Sequence, residues 1–245
     1  MKKAIALLVF VIIGPIFGSW IVREAAVDTY AELVEETAVA YYKLSEGAGS
    51  LADAMGGTAL TVSGSPIYGQ PGLIPSDAGT SIAFSSGSYA SVGEDLGISG
   101  YPFSFEFITE TTSGARDVIV FLGDDAVERT YSAAYIENGN NAFSASIRNS
   151  SLIHTNSTTA GNDGSAHHVV CNYNSATDRE VFVDGVSRGT QTDSVAFPVP
   201  NRFAIAALRS SSPGDYYSGT VQHVSVHDVA LSQSQISERF AATGL

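Results

Sequence analysis

From residue 39 onward, apolar side chains recur in short runs with a period near two, and Gly, Pro, Asn and Asp cut the runs apart. Alternation of this kind puts every second side chain on one face of a pleated strand. The stretch 166–190, AHHVVCNYNSATDREVFVDGVSRGT, shows it most fully. HHVVCNY (167–173) is rich in β-branched and aromatic residues, REVFV (179–183) alternates charged with apolar, and VSRGT (186–190) follows directly after Asp184-Gly185. A two-residue hairpin turn needs positive φ at its centre, which Asp-Gly tolerates well. The stretch is therefore predicted to be an antiparallel meander, with NSATD (174–178) as its first, longer turn.

The same reading predicts strands at 39–44, 58–64, 81–86, 88–93, 103–111, 117–124, 129–137, 141–148, 202–208 and 217–228. Residues 45–57 and the Pro/Gly-rich 66–80 read as loops. In FSFEFITET, Phe103, Phe105 and Phe107 share one face while Glu106, Ile108 and Glu110 share the other. Near the end, Ser232 or Ser234 is placed to cap a short helix that buries Ile236 and Phe240. About a dozen strands separated by turns predict an all-β, two-sheet antiparallel jelly-roll sandwich spanning 39–245.

Residues 1–38 follow a different rule. Lys2-Lys3 precede the uncharged run Ala4 to Trp20, which suits either a secretory signal or a membrane anchor or assembly helix. From 21 to 38, apolar residues recur every three or four positions between acidic ones, the pattern of an amphipathic helix. Together they predict one N-terminal helix, interrupted, apolar first and amphipathic second. Through it the protein would associate with itself or with other surface proteins.

Charge and cysteine content narrow the chemistry. With Asp+Glu 25 against Lys+Arg 12, the net charge of −13 disfavours a nucleic-acid partner. The single Cys171 sits in a strand and reads as a buried, inert thiol. No Cys/His spacing suits zinc, and neither a nucleophile elbow nor a phosphate loop occurs. Glu106 and Glu110 lie about 13 Å apart along a strand, too far for glycoside hydrolysis, with Ile108 where a middle carboxylate would be needed. They read as solvated charges on the outer face. Asn149 and Asn156 match glycosylation sequons, meaningful only in a eukaryotic secreted protein.

Several segments resemble laminin-G-like, concanavalin-A-like jelly rolls, over about residues 30–244. YAELVEETAVAYYKLSE resembles the opening helix and strand of bacteriophage and bacterial members, with Tyr42 and Lys43 where Trp and Arg are usual. GQPGLIPSDAGTSIAFSSGSYASV, SAHHVVCNY with REVFVDGVSRG, and GTVQHVSVHDVALSQSQISERFAA resemble the Pro-Gly segment, the hairpin core and the closing strand with its helix. Gln222-His223 stands where members commonly carry Asp-Glu. The resemblance implies a non-catalytic surface protein for display, adhesion or assembly, carried on a virus particle such as a bacteriophage. A membrane-anchored or pilin-like bacterial or archaeal adhesin is the alternative, and a glycoside hydrolase the remote one. It also implies packing roles for His167 and His168, and Ca²⁺ at one rim, with Asp124, Asp125, Asn162, Asp163 and Asp215 as candidate ligands; turn formation is the competing role for each. Tyr68, Tyr216 and Tyr217 are the aromatic candidates for stacking on a sugar ring of a glycan or host-surface ligand, with core or edge packing as the competing role.

Overall fold

The computed structural model describes residues 28–127, 129–208 and 212–245. The apolar run and most of the amphipathic stretch predicted for the N-terminus lie outside these residues. Within them, Thr29 has extended backbone (φ −69°, ψ 158°) and caps α1 (Tyr30–Glu35) in a reciprocal box with Glu32, so a helix starts here and does not run on through this point. No helix among the described residues is long and apolar enough to cross a membrane.

Fifteen strands follow among the described residues, with α2 (Gln233–Thr243) closing the chain. In order they are β1 (Ala38–Tyr42), β2 (Thr61–Ser63), β3 (Ile67–Gln70), β4 (Ser81–Phe84), β5 (Tyr89–Val92), β6 (Phe103–Glu110), β7 (Asp117–Gly123) and β8 (Thr130–Ile136). Then come β9 (Ala142–Asn149), β10 (Ser151–Ala160), β11 (His167–Ser175), β12 (Asp178–Val183), β13 (Val186–Gln191), β14 (Arg202–Ile205) and β15 (Gly219–His227). An eight-stranded sheet runs β13-β12-β11-β6-β15-β4-β3, with β1 also paired to β15; a seven-stranded sheet runs β10-β9-β8-β7-β14-β5-β2.

The predicted meander is present as β11–β12–β13, and Asp184 (φ 52°) and Gly185 (φ 75°) both take the left-handed conformation its turn requires. Ser232 is the cap of α2, boxed with Gln235. Two strands were not foreseen. β3 lies inside the stretch read as a Pro/Gly-rich connection. β10, SLIHTNSTTA, carries too few apolar residues to show a period, because it is an edge strand with one neighbour in its sheet.

Between the sheets Phe103, Phe105 and Phe107 pack with Val169, Cys171, Tyr173, Val181 and Ile147 in one continuous core. Tyr173 stacks on Phe103 at 4.4 Å between ring centroids. Its hydroxyl crosses to the other sheet, lying 3.0 Å from the Ala133 carbonyl and 3.1 Å from that of Ser146. Cys171 is fully buried, and burial pushes its thiol up, as expected of an inert core residue.

The opposite face of the eight-stranded sheet is covered by α1 and α2, which corrects the reading of Glu106. It is not solvated: none of its surface is exposed. Tyr30 of α1 donates to its Oε1 at 3.2 Å, His168 Nε2 lies 2.8 Å from the same oxygen, and Arg239 of α2 donates to Oε2 at 2.5 Å. His227 Nε2 stands 3.2 Å from Oε2. Arg239 also donates to the Leu33 carbonyl and the Thr37 hydroxyl, each at 2.8 Å. A sequence pattern shows only which face a residue takes; it does not show that two helices will later cover that face.

Candidate functional site

The two faces that do not meet in the core differ in access. On the eight-stranded sheet, burial alone would raise the Glu106 carboxyl, but Arg239 and the hydrogen bonds from His168 and His227 hold it well below the usual range. A sealed, ion-paired carboxylate holds α1 and α2 to the sheet and reaches no substrate. The departure at Gln222-His223 is accommodated nearby. Gln222 Oε1 accepts from the Leu73 amide at 2.6 Å, and His223 Nε2 stands 2.7 Å from Asp77, whose carboxyl is lowered to about 2 chiefly by that bond. The acidic partner here comes from the Pro-Gly segment.

The outer face of the seven-stranded sheet carries a buried apolar cluster, Val118, Phe121, Tyr131, Ala133, Tyr135 and Ala204, with polar groups beside it. Phe143, Ala145 and Ile147 enter the core, so Ser144, Ser146 and Arg148 take the outer side of β9. Register then places Ala133 of β8 and His154 of β10 on either side of Ser146. Tyr135 and Arg116 complete the group. Arg116 donates to the Tyr135 hydroxyl at 2.8 Å and lies 4.8 Å over its ring.

His154 Nδ1 is 2.6 Å from Glu137 Oε1, 2.8 Å from Ser146 Oγ and 3.1 Å from the Tyr135 hydroxyl. All three contacts fall on Nδ1, two of them hydrogen bonds to hydroxyls. The side chains of Arg116 and His154 are 31% and 30% exposed, whereas Tyr135 is buried beneath them. The arrangement presents donors at its rim, supported from below by the Tyr173 hydroxyl. The Ser146 hydroxyl lies within reach of the His154 imidazole but is itself fully buried, and the group holds no acid pair across a cleft.

The residues singled out from sequence are not brought together. Tyr217 is fully buried, its hydroxyl 2.5 Å from Thr109 Oγ1 and donating to the Glu110 carbonyl at 3.0 Å, so it is a core residue and not a rim aromatic. Tyr216 is partly exposed and packs at 6.3 Å against Tyr89; Tyr68 donates to the Gly49 carbonyl at 2.6 Å. The proposed calcium ligands do not converge. Asp215 sits at the start of β7, where its carbonyl accepts from Val118, and Asp124 sits at the far end, about 20 Å away along a seven-residue strand. Asp124 caps Ala126 and holds Asn201 (2.9 and 2.8 Å), Asp125 pairs with Arg202, and Asp163 accepts from Ser165 and His167 (2.8 and 3.2 Å) beside Asn162.

Among the described residues no three His, Cys, Asp or Glu side chains form a group able to hold a metal ion. These carboxylates therefore do not fit a Ca²⁺ site, which needs six to eight converging oxygens. A separate cleft of about 540 Å³ is bounded by Asp53, Thr58, Glu94, Asp95 and Asn201. Its acids are already used: Asp53 caps Tyr41, Met55 and Gly57, Glu94 accepts from Thr58, and Asp95 caps Gly97.

A lectin-like sandwich is the class this fold defines. Residues 84–237 match the Laminin_G_3 family, described as the concanavalin A-like lectin/glucanases superfamily, and the chain belongs to that family. It has no sequence match among curated proteins. Among solved structures it is similar to domain 4 of AbnA, a GH43 extracellular arabinanase of Geobacillus stearothermophilus in complex with arabinotriose. There the TM-score is 0.66 at 14% identity, over 83% of this chain and 98% of that one. It is also similar to the binding domain of botulinum neurotoxin DC in complex with SialylT, with TM-score 0.64 at 10% identity over 86% of this chain. The chain spans 52% of that neurotoxin domain. At such identities the likeness is one of fold.

Proposed function

We propose that this protein is a non-catalytic glycan-binding module that serves display or adhesion at a surface, with the outer face of the seven-stranded sheet as its binding surface. The observation that carries the reading is the cluster Arg116–Tyr135–His154–Glu137–Ser146, which reaches solvent through Arg116 and His154 and is fixed by hydrogen bonds of 2.8–3.1 Å. Pre-fixed polar groups bind hydroxyl-bearing ligands without a large ordering cost. Membership of a lectin-like family and the two saccharide complexes among its structural relatives support the same reading.

The setting we infer is a virus particle such as a bacteriophage, because the opening helix and strand resemble those members. The apolar run 4–20 keeps the membrane-anchored adhesin as a second reading. Partner proteins would be met through that N-terminal stretch and the glycan through the sheet. A glycan microarray probed with wild type, His154→Ala and Arg116→Ala tests the binding role. Saccharide binding that falls about tenfold in either variant supports it, and binding indifferent to both would refute it. Hydrolysis of any β-glucan that vanishes in Glu106→Gln would overturn the non-catalytic reading. Presence in purified particles at fixed copy number decides between virion and membrane fraction.

A further inference from the structure

We propose that the cleft where α1, α2 and the Pro-Gly segment meet binds a protonated primary amine on a short aliphatic chain, anchored by Asp77. The cleft measures about 470 Å³, and Asp28, Tyr30, Lys43, Ser76, Asp77 and Ala241 are among the residues that line it. It lies on the helix-covered side of the molecule, so it is separate from the glycan-binding face and does not depend on that reading.

Asp77 is fixed before any ligand arrives. Its Oδ2 stands 2.7 Å from His223 Nε2, and its Oδ1 accepts from the Gly79 amide at 2.9 Å. A bulge aims the imidazole there: β15 slips register against β6 between Gln222 and Ser225, and His223 takes a φ of 56°, which a non-glycine residue adopts at a cost. Tyr41 stacks on the ring, and its hydroxyl lies 2.6 Å from Nδ1. Ser76 ties the same segment to α2, donating to the Ala242 and Thr243 carbonyls at 2.6 and 2.8 Å. The Asp77 side chain still remains 36% exposed, and a carboxylate oxygen that accepts one hydrogen bond can accept another. With its carboxyl lowered to about 2, chiefly by His223, it is ionised at neutral pH.

The surroundings select a cation with an apolar body. Asp28 adds a second carboxylate to the lining, while Lys43 is already held 3.2 Å from Glu35. Ala241 and Ala242 belong to the last turn of α2, the negative end of its dipole, and that turn contains no basic residue. Tyr30 is 2% exposed and offers no ring face on which a sugar could stack. The methyl groups of Ala31, Ala241 and Ala242 suit an aliphatic chain instead. An ammonium brings three donors and no acceptor, which matches a carboxylate-lined cleft.

Amide chemical-shift titration of the full chain with cadaverine, against pentan-1-ol as an uncharged counterpart, is the test. Expected are saturable shifts at residues 28–31, 43–45, 76–79 and 241–242 with cadaverine and none with the alcohol. Asp77→Asn should weaken binding about 10- to 100-fold. Lys43→Gln removes a like charge from the cleft and should tighten it about two- to fivefold. Because Asp77→Asn also disturbs His223, Ala241→Phe serves as a second variant: it sits at an exposed helix position, fills the cleft, and should abolish the shifts at 76–79. Equal binding of the alcohol, undiminished binding in Asp77→Asn or Ala241→Phe, or binding no tighter in Lys43→Gln overturns the assignment. Cadaverine shifts that spread over the acidic surface without saturating show charge attraction alone and overturn it likewise.

Discussion

Replacing Glu106 by Gln conserves volume while removing one charge from a fully buried network, so packing loss contributes little and electrostatics decides the outcome. Arg239 is 2% exposed and keeps its charge in the variant. Its Nη1, now 2.5 Å from a carboxylate oxygen, would face a neutral amide, while Nη2 keeps the Leu33 carbonyl and Thr37. Breaking one side of a buried pair costs about 3–5 kcal/mol, against total stabilities of about 5–15 kcal/mol. Urea unfolding at pH 7 followed by circular dichroism should show a loss in that range, with the first exposure at α1 and α2.

The pH dependence has a definite sign. Glu106 is held below its usual value in the folded protein, so in acid the unfolded chain takes up its proton first. Its contribution is complete above about pH 4.3 and is lost as the pH falls through the folded value. The gap between wild type and Glu106→Gln should therefore narrow from pH 5 downward. The double variant Glu106→Leu/Arg239→Met should be less damaging than either single change, because no charge is left unpaired. A Glu106→Gln protein within 0.5 kcal/mol of wild type at pH 7 would refute this reasoning.

Three further outcomes follow from the geometry. His167 is raised above its ordinary value, chiefly by the hydrogen bond to Asp184 (2.8 Å), so the stability it adds is present below about pH 6.5 and lost as pH rises through the folded value. His167→Asn should lower the melting temperature by about 2–4 °C at pH 5.5 and by less at pH 9, as scanning calorimetry would show. Gly185→Ala puts a Cβ 2.9 Å from Phe240 Cδ1 at a φ of +75°, and should cost about 1–3 kcal/mol in urea melts, whereas Gly214→Ala, with open space around it, should cost far less. Because the candidate calcium ligands are dispersed, a chelator should leave the melting temperature unchanged; a drop of several degrees would reinstate a metal site.

Much of the architecture was legible because strand alternation and turn chemistry are local. The Asp184-Gly185 turn, the Phe103–Phe105–Phe107 face and the Ser232 cap each followed from residues within a few positions of one another. The site was not legible in the same way. His154, Arg148 and Ser146 come together only through the pairing of β9 with β10, and β10 has no apolar period to announce it. Tyr216 and Tyr217 look alike in sequence, yet one lines the surface and the other fills the core, a difference set by Thr109 and Glu110 more than a hundred residues away. Glu106 was assigned to the correct face and the wrong environment, because α1 and α2 arrive from the two ends of the domain.

Mapping a bound saccharide by amide chemical-shift perturbation tests the central claim most directly. With any array-positive oligosaccharide, the account predicts the largest shifts at residues 131–135, 144–148 and 152–156. Shifts confined to the loops around Asp53, Glu94 and Asp95, or to the helix-covered face around Glu106, would contradict it.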